Sequence, residues 1–201
     1  MRTTTAGPAK EAPRDSWWPP RQGEWTYPDY KRLPENGMRY EVIEGDLCMT
    51  PAPSTKHQRT VGAIFFKIRE YLDKDPLGEV FLSPIDVLLG ELATPVQPDL
   101  LVIASKRLAI VKESCIEGAP NLVVEVLSPT NPGHDRNRKF SLYSRARVPE
   151  YWIADPEERA IEVFVLRGEA YALAGRFEPG RTLKSELLTG LKVAVSEIFP
   201  A

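Results

Sequence analysis

Apolar positions along this chain switch between two periods, and the switches divide it into elements. Val61, Ile64, Phe65, Ile68 and Leu72 recur three and four residues apart, which lays them along one face and predicts a helix over 55–74. Asp75-Pro76 and Gly78 stop it. Upstream, Thr26-x-x-Asp29 has the form of a capping box with Asp in the acid role, and predicts a short helix over 28–33. The stretch from Tyr40 to Met49 reads as a hairpin turning at Gly45-Asp46, closed by Pro51 and Pro53. Val80 to Leu89 is a strand pair, or one strand bent at Pro84. Residues 97–104 and 121–127 contain nearly continuous apolar runs, the pattern of strands covered on both faces. A second helix is predicted over 134–147 on Phe140, Leu142, Tyr143 and Ala146, with Pro149 closing it. Then follow a strand over 150–154, a hairpin of 160–166 and 169–174 across Arg167-Gly168, and a last strand on Leu191, Val193 and Val195. Ser196 is placed to cap a terminal turn. This order predicts an α/β or α+β fold: a mixed central sheet flanked by helices, with β-hairpins added at both ends.

Composition changes this picture in a few places. Residues 1–22 hold Pro8, Pro13, Pro19, Pro20 and the pair Trp17-Trp18 without any periodicity. They predict an extended or disordered arm, its Trp pair docking on the domain or on a partner, ahead of a single domain over 23–201. Hydrophobic residues make up 42% of the 201, enough to fill a core for a domain of that length. No run approaches the roughly 20 apolar residues of a membrane span, and the first residues carry no apolar signal region. No membrane and a cytoplasmic location are therefore expected. Cys48 and Cys115 lie in no metal-type spacing and read as reduced thiols. A net charge of −2 argues against a nucleic-acid coat protein and leaves room for a locally basic groove. There is no glycine-rich phosphate loop, so no organic cofactor is expected.

The candidate chemistry lies in three residues. Asp99, in Gln97-Pro98-Asp99, and Glu125, in Val123-Val124-Glu125-Val126, interrupt the two most apolar runs, and Lys139 follows on the second helix. A carboxylate in a buried strand costs several kcal/mol unless it is paired or binds a metal. Two readings fit: a strand-end acid plus a buried Glu125–Lys139 ion pair, or two hard-oxygen ligands for Mg²⁺ or Mn²⁺ with an ammonium beside them, as a metal-dependent phosphodiesterase needs. Glu44 ends an apolar strand just before a turn and is a candidate supplementary acid. Glu41 alternates with Val42 and is expected to face outward. Tyr143 lies one helical turn beyond Lys139 and shares its face. Asp135 reads as a helix N-terminal acid, and His134 as a flanking residue. Arg136, Arg138, Arg145 and Arg147 make the second helix strongly basic, either as a solvated face or as a wall for a nucleic-acid backbone.

The segments Arg39 to Gly45, Pro98-Asp99, Ala119 to Pro129, Asp135 to Lys139, Tyr143 and Val148-Pro149-Glu150-Tyr151-Trp152 together resemble the Uma2 family of the PD-(D/E)xK restriction-endonuclease-like superfamily. The resemblance covers about 26 to 199 and implies a restriction-endonuclease-like fold, DNA as the substrate, a homodimer, and Mg²⁺ or Mn²⁺ as cofactor. It implies catalytic roles for Asp99, Glu125 and Lys139, with the backbone carbonyl of Val126 as a third metal ligand. It also brings in His57, from Pro-Ser-x-x-His-Gln ahead of the long helix. Two departures stand out. The superfamily's usual lysine position, two residues after the second acid, is Leu127 here, so Lys139 must reach back from the helix. Arg147 stands where the family commonly has glycine before Val-Pro-Glu-Tyr-Trp, which predicts a different helix end or a phosphate contact. From a different class comes the alternative of a catalytically inert nuclease-fold module that binds or regulates.

Overall fold

In the computed structural model the described residues are 18–50, 52–128 and 134–199, the side chains of 50 and 134–136 excepted. The expectations for Trp17 and the start of the arm, and for the side chains of His134, Asp135 and Arg136, fall outside them.

The elements in chain order are α1 (Tyr27–Tyr30), the hairpin β1 (Arg39–Ile43) and β2 (Asp46–Thr50), α2 (Thr55–Lys74), β3 (Gly78–Leu82), β4 (Asp86–Leu88), β5 (Leu100–Ala104), β6 (Cys115–Glu117), β7 (Leu122–Val126), α3 (His134–Arg145), β8 (Glu150–Asp155), β9 (Ala160–Arg167), β10 (Ala170–Phe177), β11 (Thr182–Leu183), β12 (Val193–Ala194) and α4 (Val195–Ile198). Six strands form the main sheet in the order β10-β9-β8-β7-β5-β3. Only β7 and β8 run parallel; every other neighbouring pair is antiparallel. A parallel pair needs a long crossover, and α3 supplies it between β7 and β8. Among the described residues no helix is long and apolar enough to cross a membrane.

The nearly continuous apolar runs are explained by the sheet being covered on both sides. Leu100, Val102, Leu122, Val124 and Trp152 pack against Val61, Ile64, Ile68 and Leu72 of α2. The alternate positions Leu101, Ile103, Val123, Tyr151 and Ile153 pack with Leu142 and Tyr143 of α3. Strand alternation therefore sends Glu125 to the α3 side with Val123. Glu150, buried at the start of β8, accepts bonds from the indole of Trp152 and from the backbone N–H groups of Glu186 and Leu187. That carboxylate ties the C-terminal segment to the sheet.

Several boundaries differ from the sequence expectation. The capping box forms, with the Thr26 N–H and hydroxyl both donating to Asp29, but α1 begins at Tyr27 and lasts one turn. The hairpin turns at Glu44-Gly45, both with positive φ (51° and 77°), the two-residue geometry that matches strand twist. Gly45 is needed there twice over, since a Cβ would collide with the carbonyl of Gly23 packed on the turn. The packed body also starts before residue 23. Trp18 meets Trp25 edge-on at 5.5 Å between centroids, Arg32 stacks over Trp18 at 4.2 Å, and the Gln22 amide pairs with both backbone groups of Leu47. Val80 to Leu89 does split into two strands, but β4 leaves the main sheet to pair with β6. The last strand shrinks to β12, and Ser196 lies inside α4 rather than capping it.

Arg147 keeps the left-handed conformation (φ 65°) in spite of its side chain. The Val148 N–H reaches the carbonyl of Tyr143 and the Arg147 N–H that of Ser144, which closes α3. A Cβ in this conformation costs about 1 kcal/mol. Arg147→Gly is therefore expected to raise the melting temperature by about 2–4 °C for a chain of this size, less whatever its bond to the Gly168 carbonyl contributes. Differential scanning calorimetry checks this.

Candidate active site

Five segments bring their polar residues to one buried cluster. Glu125 comes from the middle of β7. Lys139 and Tyr143, one turn apart on α3, both reach its Oε1, the ammonium at 3.1 Å and the phenol donating at 2.6 Å. Glu41, on β1, lies on the other side of the lysine, 3.3 Å from Nζ. The Glu41 carboxylate also accepts the backbone N–H of Gln97 at 2.7 Å. Asp99 stands just ahead of β5, where Pro98 and the strand start hold it. Its Oδ2 accepts the Val126 N–H at 2.9 Å and lies 3.1 Å from Nε2 of His57. His57 is in the first turn of α2, fixed by the Ser54 cap that accepts its N–H. Glu41, His57, Asp99, Glu125 and Lys139 are all buried. Arg39 closes the outer side, with Nη2 4.0 Å from Oδ1 of Asp99.

The surroundings set the two central carboxyls apart. Burial pushes Asp99 up, but the His57 hydrogen bond and charge, Lys139 and the Val126 N–H outweigh it and hold it below the ordinary carboxylate range. Burial pushes Glu125 up to about 8; the charges of Asp99 and Glu41 add to this, and Lys139 and Tyr143 only partly offset it. Burial, with Glu125 and Glu41 nearby, also raises Tyr143 well above its ordinary value. Three carboxyl groups thus crowd one ammonium and one imidazole. Hard oxygen donors with a surplus of negative charge suit a small divalent cation that keeps several waters and takes one or two carboxylates. Among the described residues there is no set of three or more His, Cys, Asp or Glu arranged as a ready metal cage. Asp99 and Glu125 are the carboxylates of the cluster that could hold such a cation.

The structure brings Asp99, Glu125, Lys139, His57 and Tyr143 together and places Val126 beside them through its N–H. Glu44 it does not. That residue sits exposed in the hairpin turn, paired with Arg145, where both line an open groove of about 620 Å³ with Trp25 and Leu92. The third carboxyl in the cluster is that of Glu41 instead. An outward position was expected for it from its alternation with Val42, yet β1 is covered on both sides and Glu41, Val42 and Ile43 are all buried. The signal available was its place beside two apolar residues, the same signal that marked Glu125. Three arginines of the expected basic wall have protein partners. Arg138 turns inward and donates to the Ile43 carbonyl, to Asp46 and to Cys48, clamping α3 to the hairpin. Arg145 is taken by Glu44, and Arg147 donates to the Gly168 carbonyl rather than standing free for phosphate.

Known proteins resemble this chain at three levels. The profile of the Uma2 family, described as "Putative restriction endonuclease", matches residues 27–196. An uncharacterized protein from Synechocystis sp. is 28% identical over 119 residues, which is 57% of this chain and 65%, less than two thirds, of that relative. The crystal structure of a putative nuclease belonging to DUF820 from Anabaena variabilis superposes with a TM-score of 0.72 at 20% identity. It covers 87% of this chain and 97% of its own, and shows a shared fold.

Proposed function

The chain belongs to the Uma2 family, and we propose that it hydrolyses phosphodiester bonds in DNA with the help of Mg²⁺ or Mn²⁺. The observation that carries this reading is the meeting of Glu41, Asp99 and Glu125 around Lys139 in one buried cluster. When bound, the cation supplies charge neutralisation at the phosphate and an acidified water. Asp99 and Glu125 are the residues that would hold it. His57 and the Val126 N–H fix the orientation of the Asp99 carboxylate. Tyr143 fixes that of Glu125 by donating to it. Lys139, buried and held between two acids, presents a point charge for the phosphate or for the attacking water. Glu41 holds the lysine in place.

One observation favours the inert-module alternative: Lys139 is engaged by both acids, so the cluster also closes on itself as an ion-pair network. The two readings separate in a cleavage assay on supercoiled, linear and single-stranded DNA and on RNA. A nuclease nicks or cuts DNA in Mg²⁺ or Mn²⁺, loses all cleavage in EDTA, and loses it again in Asp99→Asn. An inert module leaves every substrate intact in all buffers.

A further inference from the structure

We propose that Arg39 is the residue that grips a phosphate of the substrate backbone at the mouth of this site, an inference that rests on the nuclease reading above. Arg39 lies two residues before Glu41 on β1, so strand alternation puts both side chains on the same face. Glu41 is sealed in the cluster, whereas the Arg39 side chain keeps 24% of its surface open. The guanidinium is therefore the cation between the buried carboxylates and the outside.

Its hydrogen bonding is incomplete. Nη2 donates to the Gln97 carbonyl at 3.3 Å, while Nε is buried with no partner among the described residues. The nearest acid, Asp99, stands 4.0 Å away at Oδ1, beyond a hydrogen bond, while its Oδ2 is held by His57 and the Val126 N–H. Arg39 thus pairs with Asp99 by charge alone and spends no hydrogen bond on it. A buried donor left unpaired costs about 1–3 kcal/mol, and natural sites seldom keep one without use. The planar guanidinium offers adjacent Nε and Nη donors in a fork, the geometry that takes two oxygens of one phosphate.

The fork is also held in place. The Gln97 carbonyl that anchors Nη2 belongs to a residue whose N–H binds Glu41 and whose side-chain amide donates to Asp86 at 2.9 Å and to Tyr30 at 3.2 Å. Tyr30 in turn donates to Asp86 at 3.1 Å. One rigid network thus sets Arg39 and Glu41 relative to each other. Arg39 reads the backbone and no base, so its contribution is independent of sequence.

The test uses the full chain and two fluorescein-labelled DNA duplexes of unrelated sequence, with binding followed by anisotropy in Ca²⁺ over a salt series. Arg39→Gln is expected to weaken both duplexes by the same factor, about tenfold for a lost charged hydrogen bond. The slope of log affinity against log salt should fall by about one phosphate contact. Arg39→Lys keeps the slope and recovers only part of the affinity, because it restores the charge without the fork. The melting temperature should not fall, and calorimetric Mn²⁺ binding should not weaken, in either variant. An Arg39→Gln protein with wild-type affinity and slope overturns the inference, and so does a loss of binding accompanied by a lower melting temperature, which would make the residue structural. Wild-type binding and cleavage beside an unaffected variant overturn this inference alone. A wild type that binds neither duplex overturns it together with the nuclease reading.

Discussion

Glu125→Gln is expected to stabilise the metal-free protein while abolishing both cation binding and cleavage. Glu125 is buried between Lys139, Tyr143 and two other acids, and its carboxyl is raised from 4.5 to about 8. The sign follows from linkage. A folded value above the unfolded one means that the fold favours the protonated form. That contribution is fully present below the unfolded value and is lost as pH rises through about 8. Wild-type stability attributable to this group should therefore fall between about pH 5 and pH 9. A glutamine mimics the protonated acid. Its oxygen still accepts from Tyr143, Lys139 keeps Glu41 as a partner, and the pH dependence should flatten. Thermal melts in EDTA across that range read the effect, which is largest at the alkaline end. A variant that melts below the wild type at pH 9 would show that the ion pair of Glu125 with Lys139 outweighs the cost of burying its charge. Activity and fold stability oppose each other here because the surplus negative charge that a cation needs is a penalty without it.

Lys139→Met carries the second large effect, in the opposite direction. The ammonium sits between Glu41 and Glu125, and its removal leaves two buried carboxyl groups facing each other. Breaking a buried pair by deleting one partner costs about 3–5 kcal/mol. At about 2–4 °C per kcal/mol for a chain of this length, the melting temperature in EDTA should drop by some 6–20 °C. Cleavage should disappear. Divalent cation should restore much of the lost stability, since ligand binding to the fold alone stabilises by mass action and the variant offers the cation a more negative pocket. A variant that remains as stable as the wild type in EDTA would remove Lys139 from the cluster, and the phosphodiesterase mechanism with it.

The α3 helix shows how far pattern alone carries. Its apolar spacing and Pro149 located it within two residues, and the acids were marked by being charges in runs that are otherwise all apolar. These are local signals: a helix repeats every 3.6 residues and a strand every two, so the neighbours along the chain suffice to read them. Asp99, Glu125 and Lys139 were singled out for that reason, whereas His57 came only from the family resemblance and Tyr143 only from the helix face it shares with Lys139. The resemblance over 26 to 199 placed the chain in its family from the same local strings.

What the sequence could not decide was which side of a two-residue hairpin would be buried, and against what. Glu41 and Glu44 are three residues apart in similar surroundings, yet one is enclosed and holds Lys139 while the other is exposed and holds Arg145. The difference comes from segments distant in sequence: α3 and the 92–97 stretch enclose the Glu41 side chain, whereas at the turn they give Glu44 only the Leu92 carbonyl for its N–H and the exposed Arg145 for its carboxylate. The same holds for the arginines. Arg138 reads as one more charge on a basic helix, but its carbonyl partner is Ile43, which only the folded chain brings beside it. Trp18, in a proline-dense segment with no periodicity, becomes part of the body because Trp25 and Arg32 present a surface for it. Element type and candidate chemistry were therefore written in neighbouring residues. The membership of the site, its third carboxyl and the direction of each arginine were set by contacts between residues far apart in the chain, whose energies no local window contains.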